Sequence, residues 1–98
     1  MKSGPAGTRP EADVIALRAL AWIAEDGERL AAFLNMTGAD RDSIATSIGE
    51  PSFLRAVLDF VLGEDRLVIG FCDWAGLGYD APLRARAALP GGDEMHWT

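Results

Sequence analysis

The segment PSFLRAVLDFVLG, residues 51–63, carries the clearest helical pattern in the sequence. Its apolar residues recur at intervals of three and four positions, which places them on one face of an α-helix. These residues are Phe53, Leu54, Val57, Leu58, Val61 and Leu62. Pro51 suits the first turn of a helix, where its missing N–H costs nothing, and Gly63 is a typical stop. The segment therefore predicts an amphipathic helix with a wide apolar face.

Two more helices are predicted downstream of this segment. Residues 64–75 form a helix that is apolar on nearly every side, a pattern typical of a central, buried helix. Its apolar residues are Leu67, Val68, Ile69, Phe71, Cys72 and Trp74. Gly76 caps this helix, and Asp80 begins a sixth helix that the sequence Leu-Pro-Gly-Gly at 89–92 terminates.

Three helices are predicted upstream of residues 51–63. The first begins at about Glu11 and ends at residues 26–27; the second ends at Gly38; the third begins at Asp40 and ends at Gly49. On the first helix one face carries Val14, Leu17, Ala21 and Ala24, with Ile15 and Trp22 beside it. No segment alternates as a strand would. The predicted fold class is all-α, a compact bundle of five or six short helices.

The first three helices resemble the last three. Phe33 and Phe71 are 38 positions apart, as are Gly38 and Gly76, and after a one-residue slip Arg29 matches Arg66. Fixed spacing of this kind indicates two pseudo-repeated three-helix units that share one core. Coincidence is the alternative, because helical hairpins reuse acids at their starts and glycines at their ends.

Length and charge bound the class of protein. The chain has 98 residues and a formal net charge of −6, so one domain is expected, over residues 11–92, between flexible tails at 1–10 and 93–98. The acidic balance repels nucleic acid and anionic lipid. The N-terminal residues do not form a signal peptide, and no apolar run is long enough to cross a membrane. We expect a cytoplasmic protein.

Residues that carry chemistry are few. Cys72 is the only cysteine, and its place on an apolar helix predicts a buried, inert thiol. His96 stands alone in the C-terminal tail, without a second ligand at metal spacing. Most acids lie at helix starts, where they cap free N–H groups; Asp59 is expected to pair with Arg55, and Asp73 to lie on the exposed side of its helix. We expect no catalytic residue, no metal and no cofactor, and therefore no enzyme.

A few residues are candidates for interactions. Arg29 and Arg66 occupy equivalent places in the two units, which predicts structural ion pairs or hydrogen bonds to helix C-terminal carbonyls. The alternative is a pseudo-symmetric pair of anion contacts. Trp22 and Trp74 are expected in the core, and Trp97 is expected to be exposed.

Residues 71–89, FCDWAGLGYDAPLRARAAL, are similar to a helix-turn-helix with Arg84 and Arg86 on its second helix. Pro82 stands where such motifs usually bury an aliphatic residue, and nearby acids oppose phosphate binding. A nucleic-acid-binding domain is therefore the second hypothesis for function.

Three segments carry a resemblance to a known family. They are AEDGERLAAFLNMTGAD (24–40), PSFLRAVLDFVLGEDRLVIGFC (51–72) and AGLGYDAPLRARAALPGG (75–92). On these residues the chain resembles domain-of-unknown-function family 3572, a family of short bacterial proteins. The resemblance implies a small all-helical bacterial domain and supplies no activity or site residues to transfer. The leading hypothesis is a non-enzymatic protein-interaction module, with a protein partner or a second copy as its ligand, and without a nucleic-acid or membrane partner.

Overall fold

A computed structural model describes residues 9–89, with side chains from residue 11 onwards. This part of the chain forms α1 (Arg9–Ala24), α2 (Gly27–Thr37), α3 (Arg41–Ser47), α4 (Pro51–Leu62), α5 (Asp65–Ala75) and α6 (Ala81–Ala88), and it contains no strand. The all-α prediction is confirmed. Helix α1 begins two residues before the predicted start, and the rest of both predicted tails, with His96 and Trp97, lies outside the described residues.

Local chemistry sets the helix ends. Gly38 and Gly76 end α2 and α5 in the left-handed region, at φ 76° and 73°, where a side chain would strain the backbone. The Asp26 carboxylate accepts the N–H of Glu28 at 2.8 Å and so caps α2. Asp40 caps α3 in the same way, accepting the N–H of Ser43 at 2.9 Å. The predicted capping residues are confirmed at these helix ends.

The core is built mainly on α1, α4 and α6, whose mutual interfaces are the most extensive in the bundle. Phe33 of α2 is fully buried and meets the rings of Phe53 and Phe60 edge-on, with centroids 5.8 and 5.6 Å away. Such edge-to-face contacts favour a fixed arrangement of rings, so Phe33 joins α2 firmly to α4.

The buried face of α1 differs from the predicted one. Ala12, Ile15, Ala16, Ala19 and Ile23 are buried, whereas Val14 is 55% and Leu17 40% exposed. The alanines allow α1 to approach its neighbours closely, because interaxial distance depends on the side chains at the contact. The stripe of larger residues is therefore left on the outside.

Helix α5 is not the central helix that its composition predicted. Only Phe71 and Cys72 are fully buried on it, while Ile69 is 44% and Trp74 45% exposed. The helix packs chiefly on α4 and to a lesser extent on α1, and this leaves its opposite side in solvent. Placement of Trp74 in the core was wrong, and placement of Trp22 there is confirmed, at 7% exposure.

The internal repeat remains a prediction. The capping glycines of α2 and α5 adopt equivalent conformations, and Phe33 and Phe71 are both fully buried. The third members of the two units differ, because α3 has no buried residue whereas α6 buries Ala81, Pro82 and Ala85 against the rest of the core.

Candidate functional site

Two surface depressions lie on either side of the α1–α2 hairpin. The first, which we name the arginine cleft, has a volume of about 510 Å³. Its apolar floor and charged rim include Trp22, Arg29, Phe60, Glu64, Arg66 and Leu67. The fold thus brings Arg29 and Arg66 to one cleft although they lie on different helices.

Arg29 is held by three contacts within this cleft. Its Nη2 donates to the backbone carbonyl of Trp22 at 2.7 Å, near the C-terminal end of α1. Its Nη1 lies 3.5 Å from the Asp26 carboxylate, and its guanidinium carbon is 3.9 Å from the centroid of the Trp22 ring. These contacts give Arg29 the structural role that its position predicted.

Arg66 is engaged differently. Its Nε donates to Glu64 at 2.8 Å, and 83% of its side chain is exposed. Asp26, Glu28 and Glu64 bring three carboxylates to the cleft against two guanidinium groups. The rim therefore has no excess of positive charge to attract an anion, and the proposed pair of anion contacts stays a prediction.

The segment similar to a helix-turn-helix, residues 71–89, forms the C-terminal part of α5, a turn and α6. Arg84 lies 3.3 Å from Asp80, and Arg86 donates to the carboxylate of Asp59 on α4. Both arginines are therefore partly neutralised by acids within the chain. The expected pairing of Asp59 with Arg55 was wrong, because α6 lies beside α4 and offers Arg86.

Arg55, the expected partner of Asp59, is partly buried on α4. Its Nε is buried and finds no hydrogen-bond partner among the described residues. The fold thus leaves this polar atom without the ion pair that the sequence had assigned to it.

Cys72 and Asp73 are the neighbouring groups with potential chemistry. The thiol of Cys72 is fully buried, as predicted, and its burial raises the pKa. Asp73 is exposed and accepts the hydroxyl of Tyr79 at 2.8 Å, a bond that raises the pKa of Tyr79. Within residues 9–89 no cluster of His, Cys, Asp or Glu side chains is arranged to hold a metal ion.

The second depression, which we name the α1–α3 groove, is strongly apolar. It has a volume of about 440 Å³. Its walls are Leu17, Leu20, Ala21 and Ala24 of α1, Leu30 of α2, and Arg41, Ile44, Ala45 and Ile48 from α3 and its C-cap. Every lining residue except Arg41 is aliphatic.

The groove remains open because α3 covers α1 incompletely. Leu17 is 40% and Ile48 39% exposed, above the partly buried Leu20 and Ile44. Sequence reasoning found these side chains but assigned Leu17 to the packed face of α1. An available signal was the shortness of α3, since seven residues are too few to cover four turns of α1.

Among the residues that the structure describes, Arg41 is the only charged side chain in the groove wall. It is exposed, and it makes no ion pair or side-chain hydrogen bond with any described residue. An aliphatic surface with one unpaired cation at its edge is suited to a ligand that is apolar and carries a carboxylate.

Taken together, these features define a small all-α protein whose described surface includes an apolar groove and a charged cleft. The family model described as "Protein of unknown function (DUF3572)" matches residues 9–92. The chain belongs to this family, and the resemblance noted in the sequence is confirmed. No curated protein and no solved structure matches the chain. Of the helices described, none combines the length and apolarity that crossing a membrane requires.

Proposed function

We propose that the protein is a non-enzymatic, cytoplasmic interaction module that binds the apolar face of a partner helix in the α1–α3 groove. The observation that carries the proposal is the pair of partly exposed aliphatic walls, Leu17 on α1 and Ile48 beside α3. Contiguous apolar surface of this kind is unfavourable in water and marks sites of association.

The spacing of the wall residues favours a helix as the occupant. On both sides of the groove they follow the intervals of three and four that define one face of a helix: 17, 20, 21 and 24 on α1, and 41, 44, 45 and 48 along α3. A third helix laid between two such faces places its own side chains between theirs.

The charge of the groove specifies the chemistry of that partner further. Arg41 has no ion-pair partner within the described residues. A partner helix with an acidic residue beside its apolar stripe would supply one. Such a rim contact contributes mainly to the rate and selectivity of association, while apolar burial supplies most of the affinity.

Two observations support a role without catalysis. The Cys72 thiol is buried and its raised pKa disfavours the thiolate that a nucleophile requires. Asp73, which follows it, is exposed and already accepts a hydrogen bond from Tyr79. A catalytic carboxylate is usually buried beside a partner group, whereas Asp73 lies in solvent.

The experiment is a capture assay with the tagged full chain in a lysate of its source cells. The groove variant Ile48→Asp places a charge in the wall, and Leu83→Asp is the matched control at another exposed aliphatic residue, outside the groove. We expect a protein that is retained by the wild type and by Leu83→Asp and is lost with Ile48→Asp. Capture that Ile48→Asp leaves unchanged, or the absence of any captured protein, including a second copy of the chain, would contradict the proposal.

A further inference from the structure

We infer that the occupant of the α1–α3 groove is a second copy of this chain, whose α1 packs antiparallel against the first; this inference rests on the proposed function. It concerns the α1 stripe, which consists of Val14, Leu17, Ala21 and Ala24. All four residues are exposed, and the last three also line the groove.

The order of side-chain sizes along the α1 stripe carries the inference. The two larger residues, Val14 and Leu17, are in the N-terminal half, and the two alanines, Ala21 and Ala24, are in the C-terminal half. When two copies of α1 run antiparallel about a midpoint near Ala19, Leu17 of each copy lies over Ala21 of the other. Val14 likewise lies over Ala24. Each large side chain thus meets a small one, which is the complementarity that close helix packing needs.

A parallel arrangement lacks this property. It would place Leu17 against Leu17 and Ala21 against Ala21, so one end of the contact would be crowded and the other would leave a gap. The antiparallel arrangement is also the one that a two-fold axis perpendicular to the helix generates. Two-fold dimers are the commonest soluble oligomers, and their interface is made by the same surface patch on both subunits.

Charge on the same surface does not strengthen this contact. Asp13 on α1 and Glu25 directly after it lie beside the stripe, and positions 13 and 25 are equally far from the midpoint at 19. In the antiparallel arrangement Asp13 of each copy therefore lies level with Glu25 of the other, and each copy is acidic overall. These like charges oppose association, so burial of the size-matched apolar stripe must supply the affinity.

The test is analytical ultracentrifugation of the full chain over a wide concentration range, with size exchanges on the α1 stripe. Leu17→Ala leaves a gap over Ala21, and Ala21→Leu forces two leucines together. Each change occurs twice in a symmetric dimer, so we expect each to weaken dimerisation by about tenfold or more. The double variant L17A/A21L restores a large residue over a small one, and we expect it to recover most of the affinity.

Ala31→Leu is the matched control, because Ala31 is an exposed alanine on α2 that lines neither the groove nor the arginine cleft. It should leave dimerisation unchanged, and circular dichroism should show the same helix content in every variant. A wild-type chain that is monomeric at every concentration overturns the inference. So does an Ala21→Leu variant that dimerises more strongly than the wild type, or a double variant that dimerises more weakly than either single variant. A monomer that still captures another protein through Ile48 overturns the dimer and leaves the proposed function standing.

Discussion

The guanidinium of Arg29 lies over the indole of Trp22, 3.9 Å from the ring centroid, and also donates to the backbone carbonyl of Trp22 at 2.7 Å. One side chain therefore binds both the ring and the main chain of the same residue. Because Trp22 is near the end of α1 and Arg29 is in the first turns of α2, this contact fixes the angle of the α1–α2 hairpin.

The first prediction is that Arg29→Ala lowers the free energy of unfolding by about 1–2 kcal/mol, since it removes a cation–π contact and a charge-assisted hydrogen bond. Arg29→Lys should recover only part of this, because one ammonium group cannot reproduce the planar contacts of a guanidinium. Urea denaturation followed by tryptophan fluorescence measures the free energy of unfolding of both variants. Arg66→Ala, at the equivalent place in α5 but with 83% of the side chain exposed, is the control and should be close to neutral. Equal losses at both positions would show that the Trp22 contact contributes little.

The second prediction concerns Gly70, which packs against the same indole. A Cβ at this position would lie 3.0 Å from Cζ2 of Trp22. Alanine favours helix by up to about 1 kcal/mol over glycine, but displacing a buried ring that Arg29 and Phe71 hold costs more. We expect Gly70→Ala to destabilise the fold by about 1 kcal/mol and to change the near-ultraviolet circular dichroism of tryptophan.

Gly27→Ala is the control for this substitution. Gly27 begins α2, and an added Cβ there meets no atom within 4 Å, so the change should be neutral or slightly stabilising. If Gly70→Ala proved as stable as Gly27→Ala, the indole would have room to move and the packing argument would not hold.

The third prediction separates two N-caps that look alike in sequence. Asp40 and Ser43 form reciprocal bonds, in which each side chain accepts the backbone N–H of the other residue, at 2.9 and 3.2 Å. Asp80 makes no side-chain cap bond and pairs instead with Arg84. Asp40→Ala should therefore cost about 1 kcal/mol, and Asp80→Ala less than half of that.

The loss of stability in Asp40→Ala should appear first as local opening of α3. Because α3 has no buried side chain, its unfolding exposes little core, so amide hydrogen exchange should quicken in α3 before the rest of the bundle responds. Equal protection of the α3 amides in the wild type and in Asp40→Ala would contradict the role assigned to this cap.

Helix boundaries could be predicted from the sequence because their causes are local. Gly38 and Gly76 adopt positive φ at the places where the pattern of apolar residues stops, and Pro51 begins α4. Each of these signals acts within one turn of backbone, so a single sequence contains them. The same argument explains why the caps at Asp26 and Asp40 were found.

The buried face of α1 could not be predicted, because most of the helix is apolar and hydrophobicity alone does not choose a face. Side-chain size determines the buried face. Ala12, Ala16 and Ala19 permit close approach to other helices and are buried, whereas Val14 and Leu17 are exposed. The open groove depends on this outcome. The groove arises because a short α3 covers only part of a long α1, and this depends on how the helices pack in three dimensions.

The fourth prediction uses the single tyrosine of the chain, which makes its titration easy to assign. The hydroxyl of Tyr79 donates to Asp73, and this bond together with the negative charge of Asp73 raises the pKa of Tyr79. The bond is present below the ordinary pKa of tyrosine and is lost as the pH rises through the raised value. Asp73→Asn should lower the pKa towards its ordinary value, as measured by the ultraviolet absorbance of tyrosinate, whereas Asp42→Asn on α3 should leave it unchanged. A pKa that does not respond to Asp73→Asn would show that the bond is absent in solution.

The last prediction addresses the nucleic-acid hypothesis for residues 71–89. Arg84 is paired with Asp80 and Arg86 with Asp59, so binding phosphate would first require breaking contacts with carboxylates. The chain also carries a net charge of −6, which repels a polyanion at a distance. We therefore expect no retarded band in a gel shift with mixed-sequence duplex DNA or RNA, even at low salt. A shift that Arg84→Ala abolishes and Arg41→Ala preserves would contradict this expectation, because it would place the contact on α6 rather than on the α1–α3 groove.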